Sequence, residues 1–96
     1  MQHFLIHAYD YTDAQALDRR MAARPAHFEG IKKLKETGNF VLGGAILNDE
    51  GQMIGSNAVL QFETKEDLQA YLAIEPYIVQ KVWEKIDIKM FRVASI

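Results

Sequence analysis

Four strand-like runs and two helical patterns follow one another as strand, helix, strand, strand, helix, strand, and this order predicts an α+β domain. Two further observations narrow the class. Residues 39–62 read as a hairpin, so the chain is two βαβ-type units joined at a turn, and 96 residues is the length of one domain. The predicted architecture is ferredoxin-like: a single domain over 1–96 with a four-stranded antiparallel sheet and both helices on one face.

The first run, His3 to Asp10, alternates into two faces. Phe4, Ile6, Ala8 and Asp10 make one; His3, Leu5, His7 and Tyr9 make the other, which is half polar. A strand apolar on one side and mixed on the other belongs in a sheet with helices on the first face and a wetter space opposite the second. Thr12 or Asp13 supplies a cap for the helix that follows. Its pattern runs to Thr37 with Leu17, Met21, Phe28, Ile31 and Leu34 as the apolar stripe. Pro25 removes one backbone hydrogen bond and disfavours helical torsions at Arg24, so a kink or a restart is expected there. Gly38 closes the helix as a left-handed cap residue.

Asn39–Leu47 is the second strand, and its Gly43-Gly44 pair marks a bulge or a close approach to the backbone. Asn48-Asp49-Glu50-Gly51 has the composition of a turn. Met53–Phe62 is the third strand and again carries small residues, Gly55-Ser56, in its interior. Thr64 caps the second helix, with Asp67 as the capping-box acid and Leu68, Tyr71 and Leu72 as the buried face. Pro76 suits the start of a short helical segment carrying Ile78, Val79 and Val82. The last strand covers 83–93, with Ile86, Ile88 and Met90 forming an apolar face.

Composition sets limits on function. Net charge is −2 with scattered Lys and Arg, which argues against a nucleic-acid binder with its basic face or stripe. The absence of cysteine excludes a disulfide framework, a thiolate nucleophile and a cysteine-ligated metal. No segment approaches a membrane span, and the N-terminus lacks a basic leader region, so a cytoplasmic location is expected. A chain of this size buries only roughly 60–65% of its surface. The core is therefore thin, and a homodimer or higher homo-oligomer is the expected assembly. Such a partner would cover the mixed sheet face and enclose the wet cavity there.

The chemistry-bearing stretch is Arg24-Pro25-Ala26-His27. On a helix, Arg24, His27 and Ile31 fall at i, i+3 and i+7 and share one face. A cation, an imidazole and an apolar residue make an odd stripe for a core-facing helix, which leaves two readings: a satisfied structural histidine, or one half of a site. An imidazole beside a carboxylate is the simplest general acid–base pair, because the carboxylate fixes the ring tautomer. Glu75, next to Pro76 on the same side of the expected sheet, is the carboxylate that could serve. His7 reads either as a strand residue with a satisfied ring nitrogen or as a polar cavity wall. Tyr9 and Tyr77 read either as amphipathic core residues or as acid catalysts. Ser56 lacks the context of a nucleophile elbow. The three histidines do not have ligand spacing, the acids at 48–50 do not form a calcium loop, and no glycine loop cradles a phosphate. No metal or cofactor is expected.

Arg24-x-x-His27 in the first helix, Gly43-Gly44 in the second strand, Gly55-Ser56 in the third and Glu75-Pro76-Tyr77 resemble, in order and interval, the YCII-related family, and the resemblance covers essentially the whole chain. It implies a dimeric α+β barrel in which two ferredoxin-like sheets face each other. It also implies a His–acid pair associated with lyase-type chemistry, such as dehydrohalogenation of small unsaturated acids. Carried over, His27 is the base, with Arg24 and Ser56 near it, and Glu75 stands in the place of the acid. Together with the reading of the residues, the candidate substrate-binding set is Arg24, Ser56, His7, Tyr9, Gly44 and Tyr77. Two positions depart from the family pattern. Glu75 stands where aspartate is usual, which moves the carboxylate by one methylene, and Ala45 stands where a proline often follows the glycine.

The expectation is an enzyme of this family acting by His–Glu acid–base chemistry, as a lyase, dehydrohalogenase or isomerase, on a small organic acid. Two rivals share the fold: a non-catalytic small-ligand-binding or stress-related module, and a cofactor-free monooxygenase-like barrel.

Overall fold

The alternating run at the N-terminus becomes β1 (Gln2–Asp10), and the remaining elements follow in the expected order. The computed structural model describes residues 1–96. After β1 come α1 (Ala16–Glu36), β2 (Phe40–Leu47), β3 (Met53–Phe62), α2 (Lys65–Leu72), a short α3 (Pro76–Val79) and β4 (Trp83–Phe91). The sheet is antiparallel with strand order β2-β3-β1-β4, the ferredoxin-like arrangement. None of its helices is long and apolar enough to cross a membrane.

Strand register explains where the core lies. Phe4, Ile6 and Ala8 pair with Leu60, Ala58 and Ser56 on one side and with Met90, Ile88 and Ile86 on the other. Directly paired residues share a face, so these positions form the surface that the helices cover. Phe4, Ile6, Ala8, Leu60, Leu68, Leu72, Tyr77, Val82 and Trp83 are all buried there. The opposite face carries His3, Leu5, His7 and Tyr9 of β1, opposite Gln61, Val59, Asn57 and Gly55 of β3. Gly55 is small for a steric reason, since a Cβ there would stand 2.4 Å from the Ala8 carbonyl oxygen.

Local signals set most element ends. The Thr64 hydroxyl accepts from the Asp67 amide at 3.1 Å and starts α2. Asn48 accepts from the amides of Glu50 and Gln52, and Gly51 adopts φ +80° to complete the hairpin turn. Gly38, at φ +78°, follows the last turn of α1 as expected of a left-handed cap.

Four expectations need correction. The first helix begins at Ala16 behind Gln15, which makes no side-chain cap. Asp13 instead accepts from the Gln15 amide at 3.3 Å and grips the Arg19 guanidinium through two hydrogen bonds of 2.8 Å. These bonds to Arg19 hold the Asp13 carboxyl well below the usual carboxylate range, at about 2. Pro25 lies inside one uninterrupted helix. It is exposed, as is Met21 four residues earlier, so the missing backbone bond falls on the solvent side of the helix, where it costs least.

The predicted apolar stripe of α1 is rotated from the observed one. Met21 is 45% and Phe28 50% exposed, while the buried positions are Ala16, Arg20 and Ala23. Small residues let the helix approach the sheet closely, and a buried ion pair with Asp10 offsets the charge of the arginine among them, leaving only its Nε without a partner. In β4, Ile86 and Met90 are 38% and 75% exposed despite their inward register, because this strand is an edge that the helices cover only in part.

Candidate active site

Glu75 ends the loop after α2 and caps α3. Its backbone is extended, its Oε1 accepts from the Tyr77 amide at 3.1 Å, and Pro76 occupies the first helical position. That short cap, with Pro76 fixing the backbone, turns a charged side chain into a fully buried one, at 0% exposure. A buried carboxylate must be satisfied on both oxygens. The same Oε1 lies 2.5 Å from His27 Nδ1 on α1, and Oε2 accepts from the Tyr71 hydroxyl on α2. Burial and the neighbouring Glu75 carboxylate push the Tyr71 phenol far upward, so it stays a neutral donor. Three helices thus converge on one carboxylate.

His27 is fixed by packing as well. Its ring stacks on Tyr77 with centroids 3.9 Å apart and planes 10° from parallel, and Trp83 meets it edge-on at 6.3 Å. Because a Glu75 carboxylate oxygen can only accept, Nδ1 is the donor, and in the neutral ring Nε2 carries the free lone pair. Nε2 has no protein partner and is not among the buried unpaired atoms, so it is open to the space beside it.

His27 lines a cavity of about 200 Å³ between α1 and the inner face of the sheet. Arg24, His27 and Ile31 line it from α1, and Ser56 and Trp83 from the sheet. It lies on the face that the helices cover, not on the open face where a second sheet was expected to enclose a cavity. The reason is the run Gly43-Gly44-Ala45 of β2, which lines the cavity and puts little bulk beneath α1.

A second buried cluster forms the floor. Arg20 Nη1 donates to both oxygens of Asp10 at 3.0 and 3.1 Å, and Nη2 donates to Ser56 Oγ at 2.9 Å. Trp83 Nε1 donates to the same Ser56 oxygen at 3.1 Å. The Arg20 guanidinium lies 4.8 Å above the Tyr77 ring, which ties this cluster to His27 through one aromatic. Burial raises the Asp10 carboxyl above its ordinary value, and the Arg20 charge only partly opposes that. Arg24 differs: it makes no ion pair and lies 4.6 Å over the Phe28 ring at the cavity wall. Arg20 is neutralised and Arg24 is not.

His27, Glu75, Arg24, Ser56, Gly44 and Tyr77 are therefore brought together, Glu75 from behind the histidine and the rest as cavity wall or ring support. His7 and Tyr9 are not. They lie on the opposite face of the sheet, where the His7 ring nitrogen meets the Asn57 amide at 3.0 Å and Tyr9 packs edge-on against His7. Arg20, Asp10, Trp83 and Tyr71 are the participants that the sequence reading missed. Asp10 closes an otherwise apolar strand face, and Arg20 lies seven residues before His27 on the same helix face. A carboxylate on a buried face calls for a cation, and that was the available clue. No three His, Asp or Glu side chains converge in a way that could hold a metal ion.

The model of the YCII-related domain matches residues 2–92. The chain belongs to the YCII-related family. Protein YciI of Escherichia coli O6:H1 (strain CFT073) and that of Shigella flexneri are each 30% identical to this YCII-related chain over 95 residues, covering 93% of it and 95% of the relative. Among solved structures, it is similar to the 5-chloro-2-hydroxyhydroquinone dehydrochlorinase TftG of Burkholderia phenoliruptrix AC1100, in complex with 2,5-dihydroxybenzoquinone. That match has a TM-score of 0.82 at 20% identity, covering 96% of this chain and 95% of the other. A candidate antibiotic biosynthesis monooxygenase from Nitrosomonas europaea aligns with a TM-score of 0.56 at 14% identity, over 99% of this chain and all of the other. At these identities the two structures support the YCII-related protein's fold.

Proposed function

We propose that this protein is an enzyme that abstracts a proton next to a carbonyl of a small organic acid, with His27 as general base, leading to elimination or isomerisation. The observation that carries this reading is the 2.5 Å contact of His27 Nδ1 with a fully buried Glu75, which leaves Nε2 free at a cavity wall. A base must present its lone pair to the substrate and have its other nitrogen oriented, and this arrangement does both. Arg24 supplies the one unpaired cation at the cavity and can hold a substrate carboxylate as a two-donor fork. The dehydrochlorinase activity named for the structurally similar TftG is elimination chemistry of this type and supports the reading. The test is a panel of small oxo and unsaturated acids, read by NMR as exchange of the carbon-bound proton with solvent. Turnover that depends on His27 is the expected result. A member turned over equally by wild type and His27→Ala contradicts the role.

We also propose that the protein works as a homodimer, with the open sheet face covered by a second copy. Leu5, Leu42, Ile46, Val59, Tyr9 and Phe91 share that face by register; Leu42 is 52% exposed, and Tyr9 and Phe91 are each 43% exposed. Burying such side chains against a copy of the same surface stabilises a twofold pair. Sedimentation at micromolar concentration is expected to give twice the chain mass, and a compact monomer would rule the arrangement out. His7 and Tyr9 then belong to this interface rather than to the cavity with His27.

A further inference from the structure

The hydrogen-bond capacity of Ser56 specifies what the ligand must present. A serine hydroxyl has two acceptor lone pairs and one O–H donor. Arg20 Nη2 and Trp83 Nε1 both reach its oxygen, at 2.9 and 3.1 Å, and neither group can accept. Both lone pairs are therefore committed, and the O–H must be the outgoing member. No acceptor for it exists in the protein, and Ser56 forms part of the cavity wall while only 7% exposed. The guanidinium and the indole also withdraw electron density from the oxygen, which strengthens the hydroxyl as a donor.

We infer that Ser56 is an obligate hydrogen-bond donor to the ligand, so the cavity selects molecules with a carbonyl or enolate oxygen, and Ser56 is not a nucleophile. This rests on the proposed acid–base reading and deepens it. His27 Nε2 is the acceptor in the cavity wall and Ser56 the donor, with Trp83 hydrogen-bonded to one and packed edge-on against the other. A substrate losing a proton to His27 accumulates charge on its carbonyl oxygen. A fixed donor aimed at that oxygen lowers the barrier without needing to reorganise. Asp10 neutralises the Arg20 charge and holds the guanidinium in place for this task; Asp10 and Arg20 are positioning residues.

The experiment compares two anions that differ at one atom position. Benzoylformate and 2-phenylacrylate both carry a ring and a carboxylate, but the first has C=O where the second has C=CH2. Binding is read by calorimetry and by the indole NMR signal of Trp83, the chain's one tryptophan. Wild type is expected to bind benzoylformate about 10-fold or more tightly than 2-phenylacrylate, in keeping with a hydrogen bond to a charged or polarised group. Ser56→Ala is expected to bring that ratio close to 1 while leaving 2-phenylacrylate bound. A ratio near 1 in wild type overturns the inference by itself, whether or not the variant folds. A ratio unchanged in a folded Ser56→Ala overturns it too. If neither acid binds at millimolar concentration, the donor assignment falls together with the anion site. Selective binding without His27-dependent exchange leaves the donor role standing and removes the catalytic one.

Discussion

Replacing His27 with alanine is expected to lower turnover of a responsive acid by about 100-fold to 10,000-fold, the range a positioned general base contributes. The effect should fall on kcat, because Arg24, Ser56 and the apolar wall that surround the ligand are untouched. Stability should change much less than activity. The imidazole packs flat on Tyr77 and is 12% exposed at its side chain, so its loss leaves a gap that solvent reaches. The larger structural consequence is for Glu75, which keeps its bonds from Tyr71 and the Tyr77 amide and loses one of three donors. A melting curve measured beside the exchange assay separates the two effects.

Removing Glu75 reverses the balance. Glu75→Ala strips the partner from the Tyr71 hydroxyl, the Tyr77 amide and His27 Nδ1 at once, all around a side chain with no exposure. Unpaired buried donors cost about 1–3 kcal/mol each, so with three of them the loss is expected to be at least about 3 kcal/mol. At about 4–8 °C per kcal/mol for a domain of this size, the melting temperature should fall by at least about 12 °C. Glu75→Gln keeps the shape and one acceptor oxygen but removes the charge, so it should retain more of the stability than of the activity. An unchanged melting temperature for Glu75→Ala would show that the junction of α1, α2 and α3 does not depend on this carboxylate.

Some elements of the fold are encoded locally in the sequence and others are not, for physical reasons. Strands were legible because alternation separates Phe4, Ile6 and Ala8 from Leu5, His7 and Tyr9, and because the hairpin turn uses Asn48 and Gly51 in their usual roles. The orientation of α1 was harder to read. Apolar periodicity points to Met21 and Phe28, whereas the helix turns Ala16, Arg20 and Ala23 inward, since close approach and a paired charge outweighed side-chain bulk. The pairing of His27 with Glu75 was readable as a possibility from residue type and from the family resemblance. Their contact spans 48 positions and arises from how α3 docks on α1, which no local pattern encodes. The side of the sheet that holds the cavity depended on the same docking. The glycines of β2 were noticed, but their effect, open volume beneath a helix, is a property of two elements together. Tyr71 went unread for a related reason: its link to Glu75 follows from the turn between α2 and α3, not from a continuing helix.

On the proposed mechanism, Glu75 holds His27 in the tautomer with the proton on Nδ1 and the lone pair on Nε2, facing the cavity. Long-range nitrogen–proton NMR of ring-labelled histidine, with His27 assigned by comparison to His27→Ala, reads the two nitrogens separately. At mildly alkaline pH the protein should show a protonated, hydrogen-bonded Nδ1 and a bare Nε2, and Glu75→Gln should weaken that preference. A proton found on Nε2 in the wild-type protein, with Nδ1 bare, would contradict both the pairing and the role of His27 as base.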